Sequence, residues 1–179
     1  MKPRDKPGNL KPLEASDWVI EHAQRIRNNG TVLDLAAGRG RHSRFLLSTG
    51  HAVVAVDRDV DGLADLADNP KLEVVEADLE NAPWPLEGRI FDGVVVTNYL
   101  WRPLLPKIRS ALAPGGVLIY ETFGLGNEKY GRPSNPDFLL QEGELPRVFS
   151  DFDIVAYEHG YVDTPKPAII QKICAIKPG

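Results

Sequence analysis

At 179 residues with 42% apolar content, the chain fits one domain with a single buried core, and its lone Cys174, set in the apolar run Ile173–Ile176, excludes an intramolecular disulfide or a multi-cysteine zinc site. A formal charge of −4 argues against nucleic-acid binding through bulk electrostatics, and no metal ligand set stands out. No apolar run approaches the roughly 18 residues of a membrane span and the basic start has no apolar run after it, so a cytoplasmic protein, monomeric or homodimeric, is expected.

Residues 1–15 read as an extended arm, with Pro3, Pro7, Pro12 and Gly8 among the basic Lys2, Arg4, Lys6 and Lys11. The domain is expected over 16–179. Ser16 is placed to cap a helix whose apolar stripe is Val19, Ala23 and Ile26, stopped by Asn28-Asn29-Gly30. A strand at 31–36 and a helix at 41–49 follow, then a strand at 51–56, a helix at 60–67 and a strand at 72–76. The run 91–97, with Val94-Val95-Val96, suits a strand buried on both faces. A helix carrying Leu104, Ile108 and Leu112 on one side ends at Pro114-Gly115-Gly116, before a strand at 117–122. This alternation predicts a doubly wound α/β sheet, mostly parallel, with helices on both faces. The last two strands, 153–162 and 168–177, are joined only by 163–167, too short for a parallel crossover, so they form an antiparallel hairpin.

The strongest local signal is Val32-Leu-Asp-Leu-Ala-Ala-Gly-Arg-Gly40, a strand running into a small-residue turn and then a helix. Small residues let backbone approach a ligand closely. Seventeen residues after Gly40 the next strand ends in Asp57, whose carboxylate can accept both hydroxyls of a ribose. Ser43 stands where a dinucleotide fingerprint has its third glycine, which weakens a nicotinamide reading. Asp34 before the turn suits the amino and sulfonium groups of S-adenosylmethionine better than a pyrophosphate. Asp78, after the third strand, can accept from an adenine amino group.

On these residues the chain resembles the class I S-adenosylmethionine-dependent methyltransferases, over about 16–177. Phe91-Asp-Gly-Val-Val-Val-Thr-Asn98 is similar to the family's fourth-strand motif, and Leu112-Ala-Pro-Gly-Gly116 to the turn before its fifth strand. Gly38-Arg-Gly-Arg-His-Ser-Arg-Phe-Leu46 is similar to the small bacterial tellurite-resistance and thiopurine methyltransferase branch. The resemblance implies a seven-stranded sheet in the order 3-2-1-4-5-7-6 with the last strand antiparallel. It also implies methyl transfer from S-adenosylmethionine, leaving S-adenosylhomocysteine. Carried over residue by residue, Asp34, Ala36, Ala37, Gly38 and Gly40 line the methionine part. Asp57 holds the ribose with Arg58 beside the adenine, Asp78 and Leu79 contact the base, and Thr97 with Asn98 closes the site. Ala36 replaces the first glycine of the family's turn. A negative φ and a slightly narrower pocket are expected there, and a positive φ would weigh against the match.

The acceptor side should come from chain ends at the same sheet edge. Tyr99, Trp101, Tyr130 and Arg132 are candidates to grip an acceptor, although Trp101 equally suits packing a helix onto the sheet. His42 is a candidate base, with a ring bonded to backbone as the competing reading. His159, inside a strand, is a weaker one. Trp84, between two prolines, reads as a core plug. Arg39, Arg41 and Arg44 crowd one turn, as a solvated face or as an attraction for an anionic acceptor. The glycine- and proline-rich segment 124–137 reads as a lid or substrate loop, in which Asn135 caps a short helix begun by Pro136. The terminal hairpin should bring Lys166 to the same edge.

A small-molecule acceptor is the leading expectation. An RNA or protein methyltransferase is disfavoured by Thr97-Asn-Tyr-Leu100, which stands where many base-amino methyltransferases carry Asn-Pro-Pro-aromatic. A non-catalytic cofactor-binding module remains a separate reading, and a nicotinamide dehydrogenase a weaker one.

Overall fold

The computed structural model describes residues 14–179; most of the basic arm lies outside them. Ser16 caps α1 (Asp17–Ala23), its Oγ accepting from the Val19 N–H at 3.2 Å. The helix is shorter than its stripe suggests. The chain continues in tight turns to Gly30, yet Ile26 is still buried.

Strands β1 (Thr31–Leu35), β2 (Ala52–Asp57), β3 (Leu72–Glu76), β4 (Phe91–Thr97), β5 (Leu112–Phe123), β6 (Asp153–Val162) and β7 (Ala168–Ile176) form one sheet in the order β3-β2-β1-β4-β5-β7-β6. The first five pair in parallel, and β7 runs antiparallel to both β5 and β6. Order and direction are as expected. Alternate side chains feed two cores. Leu33, Leu35, Val94, Val96, Leu118 and Tyr120 face α3 (Leu105–Ala111), whereas Val32, Val53, Val95, Val117 and Ile119 face α1 and α2 (Arg41–Ser48). Gly93 permits this second layer to sit close, because a β-carbon there would lie 2.6 Å from Ile26 Cδ1.

Three elements differ from the sequence reading. Residues 61–66 form a 3₁₀ helix rather than an α-helix, begun by an Asp59 carboxylate that accepts from the Asp61 N–H at 3.1 Å. The expected helix carrying Leu112 ends at Ala111, and Leu112 already pairs with Phe91 in the sheet. Pro114 has no N–H and disfavours helical backbone in the residue before it, so the chain turns extended early. A short helix α4 (Glu144–Val148) is an addition. Its Gly143 and Pro146 resemble loop residues, but a proline in a first turn removes no helical hydrogen bond. Cys174 and Trp84 are packed in the two cores as expected, and burial pushes the Cys174 thiol up to about 11.

Among the described residues, no helix is long and apolar enough to cross a membrane, and no group of three or more His, Cys, Asp or Glu could hold a metal ion.

Candidate cofactor and methyl-transfer site

Two neighbouring cavities lie at the carboxyl edge of the sheet. The first, about 320 Å³, is lined by Ala36, Ala37, Gly38, Arg39, Arg41, His42, Asp57, Thr97, Asn98 and Tyr99. The second, about 280 Å³, is lined by Ala36, Asp57, Arg58, Ala77, Asp78, Leu79, Glu80 and Tyr99. Ala36, Asp57 and Tyr99 belong to both. Nine of the eleven expected cofactor residues line one cavity or the other.

The two exceptions are supporting residues. Asp34 is 2% exposed and accepts a 2.6 Å hydrogen bond from Ser43 Oγ. Burial raises its carboxyl to about 6, against the opposing effect of the Ser43 bond. It therefore sits behind the turn rather than on the cavity wall. Gly40, at φ +76°, starts α2, where a β-carbon would stand 2.2 Å from Leu63 Cδ2. A glycine is required there by the left-handed backbone and by packing, and Gly40 lines neither cavity.

Ala36 corrects an expectation. Its φ is +55°, although its β-carbon predicted a negative value. Left-handed backbone costs an alanine roughly 1–2 kcal/mol, and the next two residues hold the turn against that cost. The Ala37 N–H donates to the Val56 carbonyl at 3.0 Å, and the Gly38 N–H to Asp57 Oδ2 at 2.8 Å. The alanine thus follows the path a glycine would take. The expected negative φ is overturned, and the positive value, which weighs against the match, stands against the agreement of the strand order.

Asp57 ends β2 with Oδ2 on Gly38 and Oδ1 accepting from the Asp59 N–H at 3.0 Å, which fixes the carboxylate between the cavities. Asp78 is held similarly: Oδ1 accepts from the Glu80 and Asn81 N–H groups and Oδ2 from Asn81 Nδ2. The Asn81 amide and those N–H groups keep its carboxyl below the usual range. Tyr99 is fixed through its backbone, because Tyr120 Oη donates to the Tyr99 carbonyl at 2.8 Å. The Tyr99 hydroxyl is buried with no partner among the described residues, and burial followed by the nearby Glu80 raises its pKa. Asn98 has a left-handed φ of +52° and donates its N–H to the Glu121 carbonyl at 2.9 Å.

His42 is 2% exposed, and its ring is committed. Nε2 accepts from the Ser16 N–H at 3.2 Å, and Nδ1 lies 3.3 Å from Thr97 Oγ1. Burial, then the Arg41 charge, holds the ring down at about 3. A neutral imidazole with Nε2 occupied carries its proton on Nδ1, so no free lone pair is left to act as a base. The backbone-bonded reading is the one the structure favours.

The acceptor candidates scatter. Tyr99 lines both cavities, whereas Trp101 packs against the α3 core. Tyr130 stacks on Tyr161 of the terminal hairpin, with ring centroids 5.3 Å apart, and Arg132 is exposed. His159 is exposed on β6, and Lys166 is exposed in the hairpin turn. No residue of 124–137 lines either cavity. That segment is tied down instead. Asn127, buried, accepts from the Ile169 N–H at 3.2 Å and donates to the Pro133 carbonyl at 3.1 Å. The expected Asn135 cap is present, accepting from the Asp137 N–H at 3.0 Å. Of the three crowded arginines, Arg39 and Arg41 line the first cavity, whereas Arg44 forms a two-pronged pair with Asp65.

Sequence reasoning missed Ala77 and Glu80 in the second cavity, and Arg102 as a clamp. Arg102 donates to Glu144 through Nε (2.7 Å) and Nη2 (2.9 Å), and to the carbonyls of Asp137 and Leu139. Its partners lie 35 to 42 residues away, with no local pattern to announce them.

Residues 32–116 match the family model described as a methyltransferase domain. No curated protein matches the sequence. Among solved structures, TehB from Haemophilus influenzae superposes with a TM-score of 0.73 at 20% identity, over 89% of this chain and 61% of its own. This chain thus spans about three fifths of TehB. The 1,6-didemethyltoxoflavin-N1-methyltransferase of Burkholderia thailandensis, with 1,6-didemethyltoxoflavin and S-adenosylhomocysteine bound, gives 0.67 at 23% identity, covering 90% of this chain and 76% of that one. The N-methyltransferase NodS from Bradyrhizobium japonicum WM9 gives 0.63 at 14% identity, covering 93% and 100%. At these identities the likeness is one of fold. The strand order, the turn after β1 and the match over 32–116 agree: the chain carries a methyltransferase-domain match over just under half its length, on the fold of the solved methyltransferases.

Proposed function

We propose that the protein transfers a methyl group from S-adenosylmethionine to a small-molecule acceptor. The observation that carries this reading is the pair of cavities sharing Asp57. A ribose at Asp57 would send the base toward Asp78 and Leu79, and the methionine part past Ala36–Gly38 toward Thr97. Their volumes, about 320 and 280 Å³, suit the two halves of one elongated ligand. The cofactor supplies a methyl carbon already activated by positive sulfur. Holding an acceptor in line with that carbon accounts for most of the acceleration, and no protein base is needed where the acceptor arrives deprotonated. The commitment of both His42 ring nitrogens is compatible with such an acceptor. Support for a small acceptor comes from the negative net charge and from the bound small molecule of the Burkholderia neighbour.

The test is transfer of labelled methyl from S-adenosylmethionine into a cell extract, followed by separation by size. Label in the low-mass fraction is expected. Label confined to RNA or protein would replace the acceptor class, and cofactor binding without any transfer would favour a non-catalytic module.

A further inference from the structure

His42 joins three elements through one ring. The Ser16 N–H at the start of α1 donates to Nε2, the ring stands in the first turn of α2, and Nδ1 faces Thr97 at the end of β4. Since Nε2 is occupied as an acceptor and the ring is neutral, its proton is on Nδ1 and the bond runs from Nδ1–H to Thr97 Oγ1. That bond takes one lone pair of the Thr97 oxygen and sets its rotor. No protein acceptor takes the hydroxyl hydrogen of Thr97 among the described residues, and Thr97 lines the first cavity.

We propose that His42 is a positioning residue that fixes the Thr97 hydroxyl as a hydrogen-bond donor into the first cavity, where it holds a carboxylate oxygen at the amino-acid end of the cofactor. The inference rests on the cofactor reading above. The amino-acid end is chosen because Arg39 and Arg41 line the same cavity and the carboxylate is the one anionic group the cofactor has. The ammonium group has no lone pair, and the positive charge on the sulfonium makes its one lone pair a poor acceptor. A hydroxyl already accepting from an N–H is also polarised toward donating, which strengthens its bond to an anion.

The test is calorimetric titration of the full chain with S-adenosylhomocysteine. Thr97→Val, which removes the donor at nearly constant shape, is expected to weaken binding about tenfold, and Thr97→Ser less than about threefold. His42→Gln carries its amide near the Nε2 position, keeping an acceptor for Ser16 and losing the donor to Thr97. It should lose a measurable part of the affinity, up to the Thr97→Val loss, whereas His42→Asn, with its amide near Nδ1, should recover most of it. The double variant Thr97→Val/His42→Gln should lose no more than Thr97→Val alone, since without the Thr97 hydroxyl there is nothing left for His42 to position. Unchanged affinity in Thr97→Val, or additive losses in the double variant, would overturn the proposal. Should the His42 variants fail to fold, the Val and Ser variants of Thr97 still decide. If the unaltered protein fails to bind S-adenosylhomocysteine, it is the cofactor reading that falls.

Discussion

At the scale of single residues, two aspartates next to the same turn do opposite things. Asp57 is partly exposed, and its carboxylate is fixed by two backbone N–H groups with lone pairs left for a ligand. Asp57→Ala should weaken S-adenosylhomocysteine binding by about 1–3 kcal/mol, the scale of leaving buried hydroxyls unpaired; calorimetry returning the original affinity would place the ribose elsewhere. Asp34 is buried, and its carboxyl is raised from 3.8 to about 6. The folded state therefore holds this proton more tightly than the unfolded state. The group's contribution to stability is most favourable below its unfolded value and falls as pH rises through about 6. Replacing it with a neutral isostere removes that cost while still accepting from Ser43. Asp34→Asn is expected to be more stable at pH 8 by up to about 3 kcal/mol, with the gain vanishing toward pH 4. Urea unfolding at the two pH values checks this, and a gain equal at both would show that ionisation of Asp34 is not its source.

At the scale of elements, what was legible in the sequence was what local pattern enforces. The strand run Val94-Val95-Val96, the Ser16 and Asn135 caps and the small-residue turn each depend on neighbours within a few positions, and each is where it was expected. Ala36 was misjudged because its backbone is set by Val56 and Asp57 on another strand. The hydrogen bonds of the 124–137 segment were not legible for a similar reason. Its glycines and prolines suggest a lid or substrate loop, and they do not announce that Asn127 bonds it to β7 or that Arg102 reaches across to its end from beyond β4. Arg102 thus couples the cavity-lining stretch Thr97–Tyr99 to the loop and to α4. With Glu144 largely buried and four donor bonds made, Arg102→Ala should cost about 2–3 kcal/mol in urea unfolding, the scale of losing hydrogen bonds between charged groups. It should also open 124–143 to proteolysis while leaving S-adenosylhomocysteine affinity intact. An affinity loss in step with the stability loss would mean that the loop supports the cofactor site after all.

At the scale of the whole molecule, the expected cofactor stations that line the cavities lie at the ends of strands or on the loops that follow, at one edge of a sheet whose strands β1 to β4 are pinned to one another by parallel pairing. The site is therefore built from four separate loops, and a ligand spanning Asp78 to Thr97 bridges all of them. Such a ligand binds the folded sheet and has no counterpart in the unfolded chain, so its binding energy adds directly to stability. At a free concentration one hundred times its dissociation constant, S-adenosylhomocysteine should stabilise the fold by about 2.7 kcal/mol. For a chain of this size that corresponds to a rise of roughly 5–11 °C in the unfolding midpoint. A nicotinamide dinucleotide shares the adenosine half but would bring a pyrophosphate to the Ala36–Gly38 turn, where the Gly38 N–H that a phosphate oxygen would need is already taken by Asp57 Oδ2. It should produce little shift at the same concentration. A thermal scan with each compound separates the two, and an equal or larger shift with the dinucleotide would mean that the two cavities are not the halves of a methyl donor's site.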